Sequence, residues 1–196
     1  MVVRMSPSPQ RNTGVVLLVV STAFALGACG AGNTSSAQPR TTTSTPGSAT
    51  ASTKATSPAD AAKQQAMTAY LGMWNDFVSA AATSDWQSRK LGQYATGLAL
   101  STLSRGLYAD HSNHLVSRGA PTHNTQESSV DPPANPTTVT VTDCSDSTKA
   151  LKYRTDNGQL ANDSPGGRRL INATVQKQSD GSWKVSDFGV QGLGTC

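Results

Sequence analysis

The sequence has little charge and few aromatic residues for a packed protein. Charged residues make up 14% and aromatic residues 5% of its 196 positions. No acidic residue precedes Asp60, and the net charge of +4 comes from the basic residues of that N-terminal part. From residue 59 onward, 12 basic and 12 acidic residues balance. A folded part without net charge offers no basic patch for phosphates, so we expect no nucleic-acid partner.

Sequence motifs of catalysis are also missing. The chain has no Gly-x-Ser-x-Gly elbow, no His-Glu-x-x-His pair, no P-loop and no Gly-x-Gly-x-x-Gly turn. His111 and His114 would share one face of a helix and could hold a metal, but a polar helix end is the simpler interpretation. Asp143, Asp146 and Asp156 could bind calcium, but without an EF-hand pattern we interpret them as solvated turn residues. We therefore predict no metal site and no cofactor.

The first 28 residues have the pattern of an export signal. Arg4 and Arg11 precede a run of mostly apolar residues, 15–26. A helix of that length spans about 18 Å, which is short of the roughly 30 Å hydrocarbon core of a membrane. A basic start, a short apolar run and small residues after it are typical of a signal peptide rather than a membrane span.

The end of this signal carries a candidate lipid anchor. The residues Leu26-Gly27-Ala28-Cys29-Gly30 resemble the bacterial lipobox. The resemblance implies that cleavage precedes Cys29 and that its thiol receives a diacylglycerol, and the alternative is an ordinary secretory signal with an unrelated cysteine. Two or three acyl chains would anchor the protein stably to the extracytoplasmic face of the cell membrane.

The residues that follow are predicted to be a disordered tether. Half of the 28 residues in 30–57 are Ser or Thr, and none is aromatic. Such a segment cannot bury enough apolar surface to offset the entropy of ordering it. A flexible coil of this length reaches roughly 30 Å. We therefore divide the chain into a signal peptide (1–28), the lipidated cysteine with its tether (29–57) and one domain (58–196).

The domain is predicted to begin with helices. Ser57 has the position of an N-cap, followed by Pro58 at the first helical position. Apolar residues then recur at helical spacing, and we expect them to pack in the core rather than line a ligand cavity: Met67, Tyr70, Leu71, Trp74, Phe77, Val78 and Ala81. Two shorter helices are predicted, over 86–98 and 100–107, although three glycines weaken them.

From residue 115 onward, apolar residues alternate with polar ones, as they do in strands, and no longer recur at helical spacing. We predict strands over 115–119, 137–144, 150–155, 170–177 and 183–190, and a loop over the proline-rich residues 131–136. Asp180-Gly181 predicts a hairpin turn. The alternation of apolar and polar residues shifts by one position after Val185, which predicts a bulge near Asp187. Helices first and antiparallel strands afterwards indicate an α+β domain.

The cysteine count fits an exported protein if one cysteine is lipidated. Three is an odd number. Lipidation of Cys29 leaves Cys144 and Cys196, and disulfides persist outside the membrane. We predict a disulfide between them. A free thiol pair and a metal site are the alternatives, and no histidine lies at ligand spacing for the latter.

Three segments carry a resemblance to known proteins. TAYLGMWNDFVSAAATSDW, DPPANPTTVTVTDC and GSWKVSDFGVQGLGTC resemble a group of uncharacterised actinobacterial lipoproteins. The order of helices and strands over residues 59–196 resembles the nuclear transport factor 2-like superfamily. The resemblance implies a cone-shaped fold, in which N-terminal helices pack on a strongly curved antiparallel sheet, often around a pocket. Some members are isomerases, dehydratases or cyclases and others only bind or scaffold, and no catalytic residue can be carried over.

For function, the residue types allow only an expectation. An isomerase-like site needs a carboxylate base in an apolar cavity and a phenol as donor, so Tyr94, Tyr108 and Asp110 are the first candidates for such a pocket. We favour a non-catalytic lipoprotein that binds a small apolar ligand or an envelope protein. The alternatives are a pocket enzyme of isomerase or dehydratase type and a structural accessory of the cell envelope.

Overall fold

The computed structural model describes residues 56–161 and 166–196. The predicted signal peptide, Cys29 and the predicted tether up to residue 55 lie outside the described residues. Within the described ranges, no helix combines the length and the apolar character that crossing a membrane requires.

Three helices open the described part of the domain. They are α1 (Pro58–Ala81), α2 (Leu91–Tyr94) and α3 (Gly97–Ser112). α1 begins as predicted, because the Ser57 Oγ accepts a hydrogen bond from the Asp60 backbone N–H at 3.1 Å. The predicted second helix, 86–98, is wrong in length, since α2 covers only four of its residues and residues 97–98 already belong to α3. The chain leaves α2 at Ala95, whose extended backbone forms a bridge with Val185.

Six strands form two antiparallel sheets in the described ranges. The larger sheet has the order β2-β3-β5-β6, with β2 (Thr125–Asp131), β3 (Thr138–Asp146), β5 (Arg168–Lys177) and β6 (Trp183–Val190). A small sheet pairs β1 (Leu115–Arg118) with β4 (Leu151–Arg154). The predicted bulge is confirmed: Thr174 pairs with Asp187 and Val175 with Val185, so Ser186 is the extra residue. β2 was not predicted.

The core lies between the helices and one face of the larger sheet. Burial alternates along β3, where Val139 and Val141 are fully buried opposite Val175 and Ala173 of β5. α1 adds buried Tyr70 and Met73 to the same cluster, and α3 adds Leu107. The predicted fold class, N-terminal helices packed on a curved antiparallel sheet, is confirmed.

Candidate functional site

A carboxylate is buried on the inner face of the larger sheet. Asp143 of β3 has a fully buried side chain, and its two oxygens accept hydrogen bonds from three donors. Oδ2 accepts from the Tyr70 hydroxyl at 2.9 Å and from His123 Nδ1 at 2.6 Å. Oδ1 accepts from the Asn124 backbone N–H at 2.8 Å. A buried carboxylate is costly unless it is hydrogen-bonded, and these donors supply that compensation.

The carboxylate fixes the orientation of His123. A carboxylate only accepts hydrogen bonds, so Nδ1 of the neutral imidazole carries the proton and Nε2 keeps its lone pair. The ring stacks on Trp74, with centroids 5.6 Å apart and planes at 28°, and meets Tyr70 edge-on at 6.1 Å. In the described ranges Nε2 makes no hydrogen bond. The imidazole is therefore held on three sides and presents one unused acceptor.

Tyr70 is a permanent donor in this network. Burial raises the pKa of its hydroxyl well above the ordinary value of 10.0, and the negative charge of Asp143 raises it further. The phenol therefore keeps its proton at any physiological pH, and its hydrogen bond to Asp143 is fixed.

His123 faces a small cavity between α1 and the segment before β2. This His123 pocket has a volume of about 140 Å³ and is lined by Leu71, Trp74, Asn75, Val78, Pro121 and His123. Its walls are mainly apolar, and the Asn75 amide and the imidazole are its polar groups. A cavity of about 150 Å³ accommodates benzene. The His123 pocket therefore has room for one small ring and places an acceptor at its wall.

The three residues predicted for an acid–base pocket do not come together. Tyr108 and Asp110 lie two positions apart on α3, and such residues project in different directions from a helix. Tyr108 is 55% exposed and meets Trp86 edge-on, whereas Asp110 is buried and pairs with Lys152. Tyr94 lines a different cavity, a groove beside the N-terminal half of α1.

The network that does form contains an aspartate that sequence reasoning misjudged. The interpretation of Asp143 as a solvated turn residue is wrong, because it is 1% exposed. The sequence did carry an indication of this burial, since Asp143 lies on the same inward face of β3 as Val139 and Val141. Tyr70 was identified only as part of an apolar stripe. Nothing in the sequence around His123 indicated that it reaches Asp143.

The other polar clusters show no metal-binding arrangement. Across the parts of the chain that the structure describes, no three His, Cys, Asp or Glu side chains are grouped so that they could hold a metal ion. His111 and His114 line a separate cavity of about 290 Å³ with Thr83 and Ser84. Asp146 accepts a hydrogen bond from the Thr148 backbone N–H at 2.9 Å in the turn after β3.

The two cysteines of the domain lie together. Cys144 and Cys196 form a disulfide with their Cα atoms 5.8 Å apart, so the predicted pair lies at disulfide distance. The bond joins residues 52 positions apart and ties the C-terminal residue to β3, next to Asp143. On the chain-entropy account, closing a loop of this size contributes about 4 kcal/mol to stability.

Comparison with known proteins gives similarities of fold only. No protein-family model matches the chain, and no curated protein matches it. Among solved structures, the intermembrane space region of the chloroplast protein ARC6 is 15% identical with a TM-score of 0.40, covering 64% of this chain and 95% of that one. A ketosteroid isomerase-like protein from Erwinia carotovora atroseptica is 9% identical with a TM-score of 0.35, covering 64% and 91%. A Catenulispora acidiphila protein is 13% identical with a TM-score of 0.37, covering 67% and 91%. None of these likenesses carries an activity over, and the fold class rests on the elements described above.

Proposed function

We propose that the protein is an exported lipoprotein whose domain binds a small ligand in the His123 pocket. Cys29 would anchor it to the extracytoplasmic face of the cell membrane, and residues 29–57 would tether the domain. The lipobox pattern around Cys29 supports the anchor. The Cys144–Cys196 pair supports export, because disulfides persist outside the cytoplasm.

The orientation of His123 is the observation that carries the binding proposal. Asp143 holds Nδ1, so Nε2 is the acceptor available to a ligand. The Trp74 ring and the Val78 side chain supply apolar walls beside it. A compact apolar molecule with one hydroxyl group would pack against these walls and donate its proton to Nε2.

Phenol and toluene test this proposal, because they differ only in the hydrogen-bonding group. We expect His123→Ala to lower the preference of the full chain for phenol over toluene about fivefold, which is the contribution of one net hydrogen bond. Using the ratio of the two dissociation constants cancels the change in pocket size. Ligand-observed NMR titration measures both constants.

His111→Ala is the matched control, because His111 lies on α3 and lines a different cavity. It should leave the phenol-to-toluene ratio unchanged. If His123→Ala also leaves the ratio unchanged, or if neither compound binds the unaltered chain, Nε2 is not a ligand acceptor and the binding proposal is wrong.

Proton transfer on a bound substrate is a second candidate function, favoured by the carboxylate–imidazole pair. An imidazole held by a carboxylate is a common general base. Acid–base catalysis also needs a donor for the developing negative charge, and among the described lining side chains the donors are the Asn75 amide and the Trp74 indole N–H, whose nitrogen is buried. The geometry therefore supports binding more fully than an isomerase or dehydratase activity.

A further inference from the structure

A second cavity lies beside the N-terminal half of α1. We call it the polar groove and define it by Gln64, Gln65, Thr68, Gln93, Tyr94 and Trp183. Its volume is about 410 Å³, against about 140 Å³ for the His123 pocket. The two cavities share no lining residue, so their ligands can be considered separately.

The polar groove is uncharged but rich in hydrogen-bonding groups. Gln64, Gln65 and Gln93 each offer an amide that donates and accepts, and Thr68 adds a hydroxyl. Of the described residues that line the groove, none carries a charge. A charged ligand would lose hydration here without gaining an ionic partner. The lining therefore suits a neutral ligand with many hydroxyl or amide groups.

Two aromatic rings form the apolar part of the groove. Trp183 is 7% exposed and Tyr94 is half-buried. The Tyr94 ring rests directly on Gly72 of α1, where a Cβ atom would lie only 2.7 Å from the ring carbons. Aromatic faces beside amides match a sugar, because a pyranose has an apolar C–H face and a rim of hydroxyl groups.

The groove is held in place by contacts between α2 and β6. Lys184 Nζ of β6 donates to the Gly92 carbonyl at 2.6 Å, and the Thr96 backbone N–H donates to the Val185 carbonyl at 2.9 Å. These bonds fix the segment that carries Gln93 and Tyr94. A site that is already ordered loses less entropy when a ligand binds.

A smaller cavity continues the groove past the start of α1. It has a volume of about 200 Å³ and shares Gln65 and Trp183 with the polar groove. Its other lining residues include Pro58, Asn135 and Lys177, so one positive charge lies in this continuation. Two cavities in a row around one glutamine and one tryptophan fit a ligand that is longer than a single ring.

We propose that the polar groove binds a neutral oligosaccharide. Its sugar rings would lie against Tyr94, and its hydroxyl groups would bond the glutamine amides and Thr68. An extended peptide is the competing ligand, and the test below distinguishes it from a sugar. The proposal does not depend on the function proposed for the His123 pocket.

Calorimetric titration with chitotetraose, a neutral tetrasaccharide, tests the proposal. The full chain is kept in a zwitterionic detergent, because a sugar headgroup would compete for the site. We expect binding that Gln65→Ala weakens about five- to tenfold and that Tyr94→Leu weakens at least as much. Because the sugar is uncharged, affinity should stay the same when the salt concentration is raised.

Gln126→Ala is the matched control, since Gln126 is an exposed glutamine on β2 and should bind no sugar. Gln65 is also exposed, so its variant tests the proposal even if Tyr94→Leu does not fold. His123→Ala should leave sugar binding unchanged, which separates this test from that of the His123 pocket. The proposal is overturned if chitotetraose does not bind, if Gln65→Ala binds it as tightly as the control, or if tetra-alanine binds equally well.

Discussion

The two halves of α1 line cavities of opposite chemistry. The first half presents Gln64 and Gln65 to the polar groove, and the second half presents Leu71 and Trp74 to the His123 pocket. Its 24 residues extend about 36 Å, which is enough for one helix to serve both cavities.

The surfaces that α1 turns inward differ in the same way. In the first half they are alanines, Ala62, Ala66 and Ala69, which allow the helix to approach its neighbours closely. In the second half Tyr70 reaches the buried carboxylate of Asp143. The comparison teaches that the first half buries small side chains alone, whereas the second half combines small side chains, Ala80 and Ala81, with a satisfied polar network.

Removing the Asp143 carboxylate should destabilise the packing of the second half of α1. Asp143→Ala leaves the Tyr70 hydroxyl, His123 Nδ1 and the Asn124 N–H without their acceptor. We expect the free energy of unfolding to fall by about 3 kcal/mol, because unpaired buried donors cost about 1–3 kcal/mol each and partly relax. Urea unfolding followed by circular dichroism measures the change.

An exposed aspartate gives the control for this substitution. Asp156→Ala should change the free energy of unfolding by less than about 0.5 kcal/mol. The side-chain amide signals of Gln64 and Gln65 should be unchanged in Asp143→Ala, since the polar groove is separate. A loss below about 1 kcal/mol would show that the second half does not depend on this network.

A methyl group at Gly72 tests close packing at the junction of the two halves. Its Cβ would lie 2.7 Å from the Tyr94 ring, so the ring must move out of the groove. We expect Gly72→Ala to destabilise the domain by about 1–2 kcal/mol and to weaken sugar binding. Thermal unfolding and the chitotetraose titration measure the two effects.

Gly106→Ala is the matched substitution on α3, where a Cβ would meet nothing within 4 Å. It should stabilise the domain by about 0.5–1 kcal/mol, because alanine favours a helix over glycine. If both substitutions stabilise, the Tyr94 ring is not held against Gly72 and close packing does not shape the groove.

The polar network should also show in the stability at high pH. The folded pKa of Tyr70 lies above its ordinary value of 10.0, so above pH 10 the unfolded chain releases this proton while the folded chain keeps it. Stability from this group is complete below pH 10 and falls by about 1.4 kcal/mol per pH unit above it. Tyr70→Phe should remove that slope and cost about 1 kcal/mol at neutral pH for the lost hydrogen bond.

Tyr108→Phe is the comparison for this measurement, because Tyr108 is exposed and its variant should keep the slope. Urea unfolding at pH 9, 10 and 11 provides the curves. Parallel curves for Tyr70→Phe and the unaltered protein would mean that the Tyr70 proton is not held by the fold.

The elements whose apolar residues recur regularly could be predicted from the sequence. Those whose bounds are set by contacts with distant parts of the chain could not. β3 was predicted because its valines alternate with threonines. β2, Thr125–Asp131, is mostly exposed and contains one valine, so only its pairing with β3 makes it a strand. α2 is short because Ala95 pairs with Val185, a contact across 90 positions that local propensity cannot indicate.

The candidate site was predictable in one of its residues. Asp143 occupies an inward position of a strand, where a charged residue needs partners, and that rule applies to the sequence alone. His123 lies 20 positions earlier in a segment without a clear period, and the pairing of β2 with β3, together with the bridge between Thr122 and Asp146, brings the two together. The choice of Tyr94, Tyr108 and Asp110 rested on residue type, which does not indicate where a side chain points.

The capped start of α1 also decides how the domain would respond to mechanical load. Any pull transmitted through the residues before Ser57 acts on the first turn of α1, beside the polar groove. Cys196, after β6, is cross-linked to Cys144 of β3. Force that enters there would act along α1 on Gln64 and Gln65 of the polar groove before Tyr70, the partner of Asp143.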